Sequence, residues 1–221
     1  MREVILDIET TGLSFENGDR ITEIACIEVL DKEFTGTFFQ VFINPQRLVT
    51  EESLRITGLT DEFLRNKPKF LEIADDFLSF IQDSPLVAHN AKFDIGFLKF
   101  EFSLIKYIPF TNIIIDTLEI SRKIFPKGNH SLNALCRKYK IPLHDREKHG
   151  ALIDSKLLGK VYSNLCAEEE DFGFFSNETE LNNEILELKL VNFPIRSFDL
   201  LSNIETEEHL NLQKHINFNK F

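Results

Sequence analysis

The sequence has no Trp, one Met and three Cys among its 221 residues. Cys26, Cys136 and Cys166 are scattered, with no Cys-x-x-Cys pair and no histidine at ligand spacing, so they support neither a zinc site nor a disulfide framework. A reducing compartment is expected. No apolar run approaches the roughly 20 residues that span a bilayer, and the chain enters strand-like Val4 to Ile8 without a basic and apolar leader. The expectation is a soluble, cytoplasmic protein. Positive charge is also scarce: 25 Lys and Arg stand against 36 Asp and Glu, a formal net charge of −11. Such a surface repels phosphates, which argues against a durable grip on nucleic acid by this chain alone. Bound divalent cations invert the sign locally, so the charge does not exclude phosphodiester chemistry at one site.

Phe and aliphatic residues are plentiful. The 22 Phe and an apolar fraction of 43% call for a packed interior, and the length suits one domain with some fifty residues left over. Along the chain, Val4, Leu6 and Ile8 alternate with Ile5, Asp7 and Glu9, which predicts a strand carrying both acids on one face. Arg20 to Leu30 and Phe38 to Ile43 read as two further strands of an antiparallel meander, closed by Asn44-Pro45. Phe70, Ile73, Ala74, Phe77, Leu78 and Ile81 recur at helical spacing and lead into a short apolar strand, Leu86 to Ala88. A helix follows His89-Asn90, then a strand at Ile113 to Ile115 and helices at Leu118 to Phe125, Leu132 to Tyr139 and Ala151 to Cys166. This order implies an α/β protein with a mixed sheet flanked by helices.

Asp7 and Glu9 interrupt a strand otherwise made of Val, Ile and Leu, where burying two unpaired carboxylates costs several kcal/mol, on the order of what a counter-ion must offset. The bland alternative is an edge strand with both acids in solvent. Thr10-Thr11-Gly12 directly afterwards supplies donors and room for a ligand. Asp94 enters a helix after the Leu86 to Ala88 strand, where α/β sheets place ligands, although Asn90 as a simple helix cap is the competing reading. His149 precedes Asp154 by five residues, with Gly150 between, so the histidine can sit on a loop and the acid on the first helical turns. Four carboxylates and a histidine from three segments form a set suited to holding divalent ions and activating water against a phosphodiester.

VILDIETTG, LVAHNAKFDIGFL and HGALIDSKLLGKVY resemble, in order and spacing, the three motifs of the DEDDh exonuclease superfamily, with His149 and Asp154 marking its histidine subclass. IDTLEISRKIFPKGNHSLNALCRKY and LRITGLTDEFL are further similar to the epsilon family of that superfamily, the proofreading exonucleases of bacterial DNA polymerase III. The resemblance covers residues 2 to 166 and implies a ribonuclease-H-like fold, a mixed five-stranded sheet with the first strand central. It implies two Mg2+ or Mn2+ ions: Asp7, Glu9 and Asp154 bind one, Asp7 bridges to the second, and Asp94 supports the second through water. His149 is the implied general base, which deprotonates the water attacking the last phosphodiester and so releases a 5′-mononucleotide. Thr10, Thr11, Gly12 and Leu13 are implied to hold the terminal nucleotide, with Asp7, Glu9 and Asp154 at its phosphate and Glu52 at its sugar. Thr57 stands where epsilon relatives usually carry histidine, so a nucleotide contact there is expected to be altered. Asn133 replaces a common aspartate at a peripheral place.

The expected division is an exonuclease domain over 1–167 and an acidic, partly disordered tail over 168–221. Leu186, Leu188, Leu190 and Phe193 are its candidate polymerase anchors; Asp171 to Phe175 and Ser197 to Leu201 are weak clamp-binding candidates, since neither has the usual glutamine. The leading expectation is a proofreading subunit of a replicative polymerase acting on single-stranded DNA 3′ ends. An RNA 3′-end-trimming exonuclease and a non-catalytic scaffold subunit are the alternatives.

Overall fold

The structure, a computed structural model of the chain, describes residues 1–143 and 149–171. The tail anchors and the Ser197 to Leu201 stretch lie outside the described residues, as does all but the first residue of Asp171 to Phe175. Strands β1 (Arg2–Thr10), β2 (Ile21–Leu30), β3 (Glu33–Phe42), β4 (Leu86–Ala88) and β5 (Ile114–Asp116) form one sheet in the order β3-β2-β1-β4-β5. β1 pairs antiparallel with β2 and parallel with β4, so the sheet is mixed and β1 is its central strand. The edge-strand alternative for Asp7 and Glu9 is thereby removed.

The alternation in β1 sorts its residues onto two faces. Val4, Leu6 and Ile8 pack into one core with Phe70, Phe77, Phe97 and Phe102, while Ile5 joins the other core with Leu158, Val161 and Leu165. The first core belongs to α3 (Phe70–Ile81) and α4 (Ala91–Leu104), and the second to α6 (Leu132–Lys138) and α7 (Ala151–Asp171). Without Trp, volume is filled by Phe: Phe70 and Phe102 meet edge-on at 5.0 Å, and Phe15 meets Phe97 at 5.4 Å. α5 (Thr117–Ile124) follows β5 directly.

Three features depart from the sequence expectation. β3 starts at Glu33, ahead of the expected Phe38, because it is an edge strand whose first six residues are exposed and carry no core pattern. Two short helices, α1 (Glu51–Thr57) and α2 (Asp61–Arg65), form behind Thr50 and Thr60, whose hydroxyls accept the amides of Ser53 and Phe63. α7 runs to Asp171, past the expected helix end at Cys166. Among the described residues no helix is long and apolar enough to cross a membrane.

Candidate active site

The face of β1 that carries Asp7 and Glu9 is covered by the start of α7. Asp154 lies in the first turn of that helix, its amide donating to Gly150 O at 3.0 Å, and its side chain is almost fully buried. His149 is fixed through its backbone: its N–H donates to Ile56 O at 3.1 Å, while its ring remains nearly half exposed. Nδ1 of His149 stands 3.3 Å from Oδ2 of Asp154. Glu9, His149 and Asp154 each offer one ligand atom, and these atoms all lie within 4.8 Å of one another. A strand and a loop–helix junction more than a hundred residues apart in sequence therefore meet at one point.

Asp7 and Asp94 belong to the same region but not to that three-atom group. Asp7 is half-buried on the face of Glu9. Asp94, in the first turn of α4, is 4% exposed. Burial pushes its carboxyl up to about 8, hydrogen bonds from its own backbone and from that of Ile8 oppose the shift, and the charge of Asp116 adds to it. The mutual reach of the Glu9 and Asp154 carboxylates suits a small divalent ion, with His149 beside them.

Asn90 stands at the cap position of α4 with φ 65° and makes no side-chain cap bond. Asp116 does the capping, accepting the amides of Asn90 and Ala91 at 3.0 Å and of Leu118 at 2.9 Å. One carboxylate thus ties the starts of α4 and α5 to the end of β5, which fixes Asp94. His89 bonds Thr117 Oγ1 through Nδ1 at 2.9 Å, and burial pushes its ring down, so it is a neutral packing residue.

Beside the acids opens a cavity of about 480 Å³ lined by Glu9, Thr10, Gly12, Leu13, Glu52, Thr57 and His149, among others. Of the residues expected around a terminal nucleotide, Glu9, Thr10, Gly12, Leu13, Glu52 and Thr57 line it, whereas Asp7, Thr11 and Asp154 do not. Thr11 is fully buried and does not line the cavity; its hydroxyl donates to Asp19 Oδ1 at 3.0 Å. The side of Gly12 on which a Cβ would stand is filled by Asp19, with Oδ2 2.4 Å from the Cβ position, so this glycine accommodates a neighbouring carboxylate as well as facing the cavity. Thr57 donates to Ser53 O at 3.0 Å and accepts the Leu59 amide, which commits its hydroxyl to its own helix.

Two contributors were not singled out from the sequence. α1 forms one wall: Ser53 Oγ donates to Thr10 O at 2.5 Å, Thr50 N–H to Thr11 O at 3.1 Å, and Ile56 O receives His149. Glu23 on β2 stands directly opposite Glu9 and is 3% exposed. Its pKa is raised by burial and by the nearby charge of Asp154, against hydrogen bonds from Gln40, Ala151 and Leu152. The pairing of β1 with β2 shifts register just beyond Glu9, where Thr10 meets Ile21, so Thr22 is the extra residue of a bulge next to the Glu9–Glu23 pair.

The chain matches the Exonuclease (RNase_T) family model over residues 4–162. It is 40% identical to the DNA polymerase III subunit epsilon of Buchnera aphidicola subsp. Baizongia pistaciae, over 97% of this chain and 92% of that one. Identity to the same subunit of Rickettsia prowazekii is 43%, over 99% and 95%, and to that of Escherichia coli 42%, over 78% and 74%. Among solved structures, the zinc-bound E. coli ExoI–ssDNA complex superposes with a TM-score of 0.70 at 19% identity, covering 85% of this chain and 45% of that one. A DEDDh-family 3′-exonuclease nuclease domain bound to rAMP gives 0.64 at 19% identity, covering 76% and 92%. Fold, motif order and these relatives agree: the chain belongs to the DNA polymerase III epsilon-subunit family, proofreading 3′–5′ exonucleases that depend on divalent metal and share the ribonuclease-H-like fold.

Proposed function

We propose that this chain trims mismatched nucleotides from single-stranded DNA 3′ ends, with Asp7, Glu9, Asp94 and Asp154 holding two divalent ions, Mg2+ or Mn2+, and His149 acting as general base. The observation that carries this is the convergence of Glu9, His149 and Asp154 beside a cavity lined by Thr10, Gly12, Leu13 and Glu52. When bound, the ions supply positive charge for the attacking and leaving oxygens of an in-line displacement. The protein supplies the rest. Asp154 facing Nδ1 of His149 favours the tautomer with its proton on Nδ1, which leaves the basic lone pair on Nε2 to take a proton from the attacking water. The anchor from His149 N–H to Ile56 O holds the ring at the cavity wall while leaving it open to solvent water. Leu13, about three-quarters exposed at the cavity rim, offers an apolar face to the terminal base.

Delivery of the strand fits a larger assembly. With a net charge of −11 the chain attracts DNA weakly, and tethering to a polymerase catalytic subunit raises the effective concentration of a frayed end to about the millimolar range. The segment after α7 is the proposed tether. The test has two arms. The purified chain with Mg2+ should excise mismatched DNA ends faster than matched RNA ends, and a strong RNA preference would favour the RNA-trimming reading. Truncation after Asp171 should preserve excision and lose co-purification with the polymerase subunit; undiminished association would refute the tether.

A further inference from the structure

Glu23 occupies an expensive position that the reaction scheme above does not use. It lies directly across from Glu9 on the antiparallel β1–β2 pair, so two carboxylates share one face at cross-strand distance, an arrangement that repels. It is also almost fully buried, which costs several kcal/mol unless its oxygens are bonded. They are: Oε1 accepts Gln40 Nε2–H at 2.7 Å, and Oε2 accepts the Ala151 amide at 3.1 Å, with the Leu152 backbone also donating to the carboxylate. The Ala151 and Leu152 amides belong to the first turn of α7, whose N–H groups have no partner within the helix. The residues just before that helix are His149 and Gly150, and Gly150 has no side chain to act as a local cap. The cap comes instead from the neighbouring strand.

A cap supplied from a strand does more than a local one, because it fixes where the helix begins relative to the sheet. That beginning carries Asp154, whose carboxylate must stay within reach of Glu9, and, immediately upstream, His149, whose ring must stay beside both. We propose that Glu23 is a positioning residue of the exonuclease reaction: by holding the Ala151 and Leu152 amides it sets Asp154 and His149 against Glu9. Gln40, on β3, acts through Glu23 by orienting its carboxylate. This role rests on the reading of Glu9, His149 and Asp154 as one metal-and-base centre.

The experiment uses the full chain and five variants: Glu23→Gln, Glu23→Ala, Gln40→Ala, Leu165→Ala and Asp7→Ala. Three readouts are taken: kcat and KM on single-stranded DNA, the Mn2+ concentration giving half-maximal rate, and the rise in Tm on adding Mn2+. Glu23→Gln retains an oxygen for the Ala151 amide, and Gln40 can turn its own oxygen toward the new NH2, so kcat should stay within about threefold of wild type. Glu23→Ala should lower kcat and raise the half-saturating Mn2+ by about 10- to 100-fold each, with KM for DNA little changed and most of the Mn2+-induced rise in Tm lost. Gln40 is exposed, so Gln40→Ala tests the same direction without threatening the fold, with an expected shift of about threefold. Leu165 is fully buried on α7 about three turns from Asp154, and Leu165→Ala should lower Tm with an unchanged Mn2+ requirement. The proposal is overturned if Glu23→Ala and Gln40→Ala keep wild-type kcat and Mn2+ dependence and lose only Tm, or if Glu23→Gln is as impaired as Glu23→Ala. Activity retained by Asp7→Ala would bring down the underlying site reading instead, and Glu23's role with it.

Discussion

Replacing Gly12 by alanine asks what the cavity wall is made of. A Cβ at this position would stand 2.4 Å from Asp19 Oδ2 and 2.7 Å from its Cγ and Oδ1, so the Asp19 carboxylate must leave. It is not loose. Asp19 accepts Thr11 Oγ1–H at 3.0 Å and the Ser14 amide at 3.1 Å, and pairs with Arg47 at 3.3 Å. Losing two hydrogen bonds to an ionised, mostly buried acceptor, with the half-exposed ion pair counted as nothing, costs about 3 kcal/mol. The wall formed by Gly12, Leu13, Ser14 and Asn17 loosens, whereas Glu9 and His149 are held by other partners. KM for single-stranded DNA should therefore rise about tenfold or more while kcat falls much less. Urea unfolding measures the first number and steady-state excision the second. Gly12→Ala with stability within about 0.5 kcal/mol of wild type and an unchanged KM would refute the reasoning.

Gly159→Ala makes the contrasting case: its Cβ would meet Phe34 Cζ at 2.5 Å, but that ring tip lies on an exposed edge strand and can swing outward. The gain of about 1 kcal/mol in helix propensity offsets the repacking, so urea unfolding should find stability within about 1 kcal/mol of wild type and excision unaffected; a loss above about 3 kcal/mol would show that Phe34 cannot move. For Asp94 the sign follows from a folded-state pKa raised from 3.8 to about 8 in the metal-free protein: folded chain keeps a proton that unfolded chain has lost. The resulting stabilisation is complete below pH ~4 and gone above pH ~8, so the Tm of metal-free wild type should fall across that window relative to Asp94→Asn, and a pH-independent difference would contradict it. The same proton must leave when a cation binds beside Asp94, so apparent Mn2+ affinity measured by calorimetry should rise from pH 6 to 8, and a flat profile would count against Asp94 as a supporting ligand.

Asp7 and Glu9 stood out because an apolar strand leaves two acids little purpose other than a cation or solvent, and the central place of β1 removes the sheet-edge reading. The same signal exists in ITEIACIEVL, where Glu23 interrupts a buried strand, but a second acid at Glu28 blurs the alternation. Only the register opposite Glu9 distinguishes the two: Glu23 is 3% exposed and faces α7, whereas Glu28 pairs with the partly exposed Arg2. α1 and α2 were hidden by their length, since five to seven residues hold too few turns for a periodic pattern; Thr50-Glu51-Glu52 and Thr60-Asp61-Glu62 were the readable signs, a capping hydroxyl followed by acids. Thr11 was placed at the nucleotide by its motif neighbours, and its burial behind Asp19 depends on a loop closure eight residues long that no local pattern shows.

The division of labour between four carboxylates and one histidine is tested most directly by calorimetric Mn2+ binding, paired with single-turnover excision, on wild type, Asp154→Ala and His149→Ala. Asp154→Ala should lose both binding and excision. His149→Ala should bind Mn2+ as wild type does and excise about 100-fold or more slowly. Mn2+ affinity lost to the same degree in His149→Ala as in Asp154→Ala would make the histidine a ligand and contradict its assignment as the base.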